Sequence, residues 1–292
     1  MKAAADATYP SLFRPDRSCE GADSTAVLAC VLVAVLTLHA TAARAGDWLS
    51  DGEAAPIRVF DGKVDERAKE ENLDLREKIT IRRINPQCYS DWNNDPTALP
   101  YFFYQMERRM PGYPIYVNND GIKLTGDEIF DYPIIYFTSH YAFTFSGEEI
   151  ENLQRFLAQG GSLWLDDCTG SGPFMNSVPM QIQRIAPGAE TRLMLMSDPR
   201  FNDIFRMIYS LSGLPDKRED FRKPFQATLI NGRPAITFTP NDYGCDWEIS
   251  SPPTSMNPLG NPAHDGPSTR VQAWREQVYQ ICINWMFYTL TH

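Results

Sequence analysis

The stretch from residue 134 to 165 constrains this chain most. Ile134-Ile135-Tyr136-Phe137 is an unbroken apolar run, Leu163-Trp164-Leu165 is another, and a helical pattern fills 146–159 between them. Apolar runs without alternation suit strands covered on both faces. Strand, helix and strand in so short a span imply neighbouring parallel strands joined by a right-handed crossover. The helix carries its own punctuation: Ser146 with Glu149 forms a capping box, Ile150, Leu153, Phe156 and Leu157 form an apolar stripe, and Gly160-Gly161 stops it. The expectation is an α/β domain whose mostly parallel sheet is flanked by helices.

Other segments extend that domain over 79–292. Ile79-Thr80-Ile81-Arg82-Arg83-Ile84 reads as a short strand, followed by a turn-rich stretch through Asp91-Trp92-Asn93-Asn94-Asp95-Pro96. Leu99, Phe102, Phe103 and Met106 recur at helical spacing, and Pro111-Gly112 ends the pattern before a strand at Ile115-Tyr116-Val117. Helices are expected over 174–185 and 201–211, and a hairpin over 226–230 and 234–239 around Asn231-Gly232. Residues 250–268, rich in Pro, Gly, Ser and Asn, read as a surface loop. The closing helix carries Val271, Trp274, Val278, Ile281, Trp285 and Tyr288 on one side as core.

The uncharged run 26–38 is nearly all Ala, Val and Leu and leads into Ala43-Arg44-Ala45. It has the length of a signal-peptide core and falls short of the roughly 20 residues of a membrane-spanning helix. Residues 1–45 are therefore expected to be a signal peptide, with 46–78 a charged leading helix or linker and the mature chain periplasmic or secreted. An uncleaved N-terminal anchor is the alternative. The chain has 37 acidic against 27 basic residues, a net charge of −10, and the charges of residues 1–45 cancel. An acidic surface repels nucleic-acid phosphates and anionic lipid, which leaves a small ligand or an envelope protein as expected partner and no membrane span in the mature chain. The cofactor is unknown.

Ligands of an open α/β sheet gather at the carboxyl ends of its parallel strands. Two segments end there: Thr138-Ser139-His140, and Asp166-Asp167-Cys168-Thr169-Gly170. The second has the x-Cys-x-Gly form of a nucleophile elbow, with Cys168 as candidate nucleophile and His140 as its base. Asp166 and Asp167 argue against it, because adjacent carboxylates push a thiol pKa up. On that reading Cys168 is a structural residue at a tight turn, and His140 closes its strand. Asp166, Asp167, His140 and Asp242 would suit a hard or borderline metal if they met, but the spacings establish no metal site. Asn241-Asp242-Tyr243-Gly244 is turn chemistry first and a cleft candidate second. His264 and His292 are expected to be exposed. Cys88, Cys168, Cys245 and Cys282 match no zinc-ligand spacing, and Cys282 reads as core.

In these residues the chain resembles the bacterial family of domain of unknown function 4159 (DUF4159). The matching stretches are the Trp92 region, Tyr132-Pro133, Thr138-Ser139-His140, Phe145-Ser146, Gly160-Gly161, Asp166-Asp167-Cys168 and Asn241-Asp242-Tyr243-Gly244. The resemblance implies a flavodoxin-like fold similar to class I glutamine amidotransferases, with Cys168 at the elbow; Trp92, Asp166, Asp167, Asn241 and Asp242 are the residues expected about the cleft. The late His-x-Glu of active amidotransferases is absent, and Asp166 stands where they have Gly. The expectation is a non-amidotransferase binding or accessory module of the cell envelope. The alternative is a hydrolase using Cys168 and His140, with or without a metal.

Overall fold

In a computed structural model, which describes residues 79–292 apart from 114, 171 and 218–220, the two apolar runs are neighbouring strands. The expectations of a signal peptide over 1–45 and a leader over 46–78 lie outside the described residues. The central sheet holds β1 (Ile81–Arg83), β2 (Ile134–Ser139), β3 (Ser162–Asp167), β4 (Glu190–Met194), β5 (Phe225–Ile230) and β6 (Arg233–Thr239) in the order β1-β2-β3-β6-β5-β4. β1, β2, β3 and β6 run parallel, and β5 is antiparallel to both of its neighbours.

Every residue of β2 and β3 is buried, as expected of strands covered on both faces. Their alternation divides the core in two. Ile134, Tyr136 and Trp164 join the cluster formed with α1 (Ala98–Arg109) and the closing helix. Ile135, Phe137, Leu163 and Leu165 join the cluster formed with α2 (Gly147–Ala158) and α3 (Pro173–Ile185). After β6 come α4 (Tyr243–Trp247), the pair β7 (Ile249–Ser251) and β8 (Asn261–Pro262), and α5 (Thr269–Thr291).

Two isolated parallel bridges, Ile79 to Ile115 and Ile84 to Ile122, lay the 115–122 segment along the other edge of β1. In space the parallel segments therefore run 115–122, 79–84, 134–139, 162–167. The chain leaves β1 outward, then returns to its opposite side for β2. This reversal puts the switch point between the carboxyl ends of β1 and β2.

Local signals act as the sequence indicates. Both halves of the Ser146 and Glu149 capping box form. At the far end of α2, Gly161 N–H bonds Phe156 O and Gly160 N–H bonds Leu157 O, with Gly160 at φ +97°. This is a Schellman ending. Asn231 and Gly232 both take positive φ, the type I′ geometry that a two-residue hairpin requires.

Four expectations need correction. Residues 201–211 form only a 3-10 turn at Asn202–Phe205, because Asn284 Oδ1 of α5 accepts the N–H groups of Ile208 and Tyr209 and takes them from any helical ladder. Ile115-Tyr116-Val117 is attached through the bridge at Ile115 rather than as a full strand. The loop at 250–268 contains most of the β7 and β8 pair. Finally, α5 is buried beyond one stripe, with Arg275, Tyr279, Cys282 and Asn284 also enclosed.

Candidate active site

Arg83, the last residue of β1, is fully buried. Its guanidinium donates to Trp92 O and to Asp95 O, each at 2.8 Å. A buried cation without acceptors is costly, so these two bonds tie the 91–95 turn to the sheet end. The turn places the Asp91 and Asp95 carboxylates at the carboxyl edge of the parallel strands.

β2 ends at Ser139 and His140. Ser139 Oγ donates to Asp91 Oδ1 at 2.6 Å and His140 N–H donates to the same oxygen at 2.9 Å, while His140 Nδ1 lies 2.5 Å from Asp91 Oδ2. Burial pushes the Asp91 pKa up, but the hydrogen bonds from Ser139 and His140 outweigh it and hold the carboxyl below its usual range. An ionised Asp91 accepts a proton-bearing Nδ1–H, which turns the lone pair of Nε2 toward Cys168. Nε2 stands 3.2 Å from Cys168 Sγ. Asp91, His140 and Cys168 thus form one continuous hydrogen-bonded line.

Cys168 follows β3 directly and is 4% exposed. Its sulfur also lies 3.6 Å from Cys245 Sγ and 3.7 Å from Asp95 Oδ2. The Cys245 contact draws the Cys168 pKa down; burial and the carboxylates of Asp95, Asp242 and Asp166 outweigh it and push the thiol up to about 12. The contact with Cys168, together with burial, raises Cys245. Both cysteines are free thiols at neutral pH.

The other side of this cluster is built after α4. His264 Nε2 lies 2.7 Å from Glu248 Oε2 and 3.6 Å from Asp95 Oδ1. Hydrogen bonding with Asp95, then with Cys245 and Glu248, overcomes partial burial and raises the imidazole to about 11. His264 is an imidazolium in this arrangement, bound to two carboxylates. Among the described residues, the side chains spaced to hold a cation are Asp95 with Cys168 and Cys245, and Asp95 with Glu248 and His264.

The structure separates the other residues singled out in the sequence. Asp166 is fully buried and accepts from Thr239 Oγ1 at 2.5 Å, Gly244 N at 2.8 Å and Tyr136 OH at 3.0 Å, fastening α4 to the sheet from below. Burial raises its pKa to about 7 against those bonds. Asp167 Oδ1 accepts from Thr169 N and Oγ1, which shapes the elbow turn. Asn241 brackets the backbone of Lys223, accepting from its N–H and donating to its C=O. Asp242 sits in the left-handed region at φ 56°, with a buried Oδ1 that has no hydrogen-bond partner among the described residues. The Trp92 ring lies over Gly121, where a Cβ would meet it at 2.6 Å. Asp166, Asp167, His140 and Asp242 belong to neither of the cation-spaced groups.

Asp91, Asp95, Cys245, Glu248 and His264 complete the cluster, and the sequence reading passed over their part in it. Asp91 and Asp95 follow the carboxyl end of β1 just as His140 follows that of β2, so the strand-end rule applied to a third strand points to them. A cavity of about 390 Å³ lies away from this cluster, between Leu157, Ile185 and Asn231, and no titratable group lines it. No helix of the described residues is long and apolar enough to cross a membrane.

The family model described as Domain of unknown function (DUF4159) matches residues 80–290, which include every residue of the site. No curated protein matches the sequence. With the match running from β1 through nearly all of α5, the chain belongs to the DUF4159 family.

Proposed function

We propose that the chain is a cysteine-dependent hydrolase of small acyl compounds, with Cys168 as nucleophile, His140 as base and Asp91 as the residue that orients the base. The line Asp91 Oδ2, His140 Nδ1, His140 Nε2, Cys168 Sγ, with contacts of 2.5 and 3.2 Å, carries the reading. Nucleophile, base and orienting acid in hydrogen-bond reach are the parts that acyl transfer needs. The spatial order of the parallel segments supports a flavodoxin-like sheet of the amidotransferase-like kind, with Cys168 at its elbow.

In the reaction, Sγ attacks the acyl carbon while its proton passes to His140 Nε2. The same proton then goes to the departing alcohol or amine, leaving a thioester on Cys168. Water attacks the thioester, gives a proton to Nε2, and the acid departs as the proton returns to Sγ. Asp91 stays ionised throughout and stabilises the imidazolium that forms.

A second reading, a binding or accessory module for a small ligand or envelope protein, is favoured by the burial and high pKa of the Cys168 thiol. Placement in the periplasm or outside the cell belongs to both proposals and rests on the sequence of residues 26–45. The two separate on p-nitrophenyl acetate. The hydrolase releases one equivalent of p-nitrophenol in a burst and carries an acetyl group on Cys168 by mass spectrometry. Absence of both in the purified protein leaves the binding module standing.

A further inference from the structure

We propose that Asp95, Cys245, Glu248 and His264 form a binding site for one divalent cation of the zinc class. The proposal goes beyond the hydrolase reading and does not depend on it. Asp95 comes from the turn after β1, Cys245 from α4, Glu248 from its end and His264 from the loop after β8. Asp95 is 1% and Glu248 7% exposed, while His264 opens to solvent and gives a cation its way in.

The spacing of these groups is the main argument. A buried carboxylate ordinarily takes charge-assisted hydrogen bonds of about 2.7–2.9 Å. At Asp95, Cys245 Sγ (3.5 Å from Oδ1) and Cys168 Sγ (3.7 Å from Oδ2) make thiol hydrogen bonds of the length usual for sulfur, whereas His264 Nε2 stands 3.6 Å from Oδ1. Bonds of about 2.0–2.3 Å directed to the corners of a tetrahedron set neighbouring ligand atoms roughly 3.3–3.8 Å apart. Cys245 Sγ and His264 Nε2 thus already lie from Asp95 Oδ1 at the separation that two ligand atoms on one ion would have. Gly244 keeps room beside it, since a Cβ there would sit 2.9 Å from Asp95 Oδ2.

The donor chemistry agrees. One thiol, one imidazole and two carboxylates offer sulfur, nitrogen and oxygen to a single ion, a set that zinc accepts and magnesium or calcium does not favour. Glu248 and His264 hydrogen-bond at 2.7 Å as they stand, so His264 gives up its Nε2 proton and turns that lone pair to the ion. Cys245 likewise releases its thiol proton, and both protons pass to solvent.

The test uses Co²⁺ as a spectroscopic stand-in, titrated into the chelator-treated full chain. The expected result is one Co²⁺ per chain with visible ligand-field bands, a near-ultraviolet thiolate-to-cobalt transition, displacement by Zn²⁺ and a higher thermal-unfolding midpoint. His264→Ala and Cys245→Ser, checked for folding by circular dichroism, weaken binding more than tenfold, while Cys168→Ser keeps the spectrum. No cobalt spectrum in the folded wild type overturns the proposal. So does a spectrum lost in Cys168→Ser but kept in Cys245→Ser or His264→Ala, which would place the ion on the nucleophile's side. Because the readout is spectroscopic, loss of acyl transfer alone leaves it untouched.

Discussion

His140 Nε2 and Cys168 Sγ stand 3.2 Å apart because their strands are in register. Ser139 of β2 pairs with Asp167 of β3, so the next residue of each leaves the sheet edge beside the other. A slip of one residue would send one of the two side chains to the opposite face. The contact is thus a product of the parallel sheet, and Asp91 reaches it through the turn that Arg83 fastens.

Removing the base tests this contact. His140→Ala takes away the acceptor of the Cys168 proton without touching the buried sheet, since its imidazole is nearly half exposed. General-base assistance contributes about 10²–10⁴-fold, and the acylation rate with p-nitrophenyl acetate is expected to fall by that factor. Cys168→Ala abolishes acylation. An unchanged burst in His140→Ala would exclude His140 as the base.

Asp91→Asn isolates the orienting acid. The amide retains the shape of the carboxylate, but its NH₂ group favours an unprotonated Nδ1, so the imidazole proton moves to Nε2, where it faces the thiol. The lone pair needed by Cys168 is lost. A fall in kcat of roughly 10²–10⁴-fold with KM little changed is expected, by analogy with the serine triad in which the orienting Asp sets the tautomer. A drop confined to KM would assign Asp91 to substrate binding instead.

Asp166 makes stability depend on pH. Its folded pKa, raised to about 7, lies above the ordinary 3.8 of the unfolded chain. Between these values the folded state holds a proton that the unfolded state has released, so stability falls as pH rises through that window. The hydrogen-bond network can take the proton: protonated Asp166 donates to Thr239 Oγ1, which then donates to Leu165 O, 3.3 Å away. The thermal midpoint is expected to decline from pH 5 to pH 7, and Asp166→Asn, which carries no charge at either pH, flattens the decline. A profile as steep in the variant as in the wild type would trace it to other groups.

What the sequence made legible was local. The apolar runs at 134–137 and 163–165 announce buried strands, and Ser146, Glu149, Gly160 and Asn231-Gly232 mark ends and turns within a few residues of where they act. Cys168 and His140 could be placed at one edge because each directly follows such a strand. Asp91 and Asp95 lie in a turn whose position is set by Arg83, and although its strand is legible, nothing in the local pattern shows that this charged side chain is buried and reaches the turn carbonyls. His264 sits in a Pro- and Gly-rich segment that looks like free surface, and Glu248, 16 residues away, and Asp95 bring it inward. Long-range pairs of this kind leave no periodicity to read. The 201–211 segment shows the converse, an apolar pattern at helical spacing overridden by one distant side chain, Asn284.

Arg83 joins fold to site, and its replacement is expected to affect both. Arg83→Met keeps the buried volume and removes the charge, so no orphaned cation remains, but the carbonyl of Trp92 loses the guanidinium donor and that of Asp95 keeps only the Ala98 N–H. With each such bond to a charged group worth about 1.5–3 kcal/mol, a loss of about 3 kcal/mol or more is expected. For a domain of this size that lowers the thermal midpoint by roughly 6–12 °C. Arg83→Lys keeps the charge but presents a single ammonium in place of the two-pronged fork, and falls between Met and the wild type. In the folded Arg83→Met protein the 91–95 turn is released, so Asp91 no longer fixes His140 and the acylation rate drops toward that of Asp91→Asn. If Arg83→Met lost stability yet acylated at the wild-type rate, the turn would have to be held by its remaining contacts, and the positioning role assigned to Arg83 would be wrong.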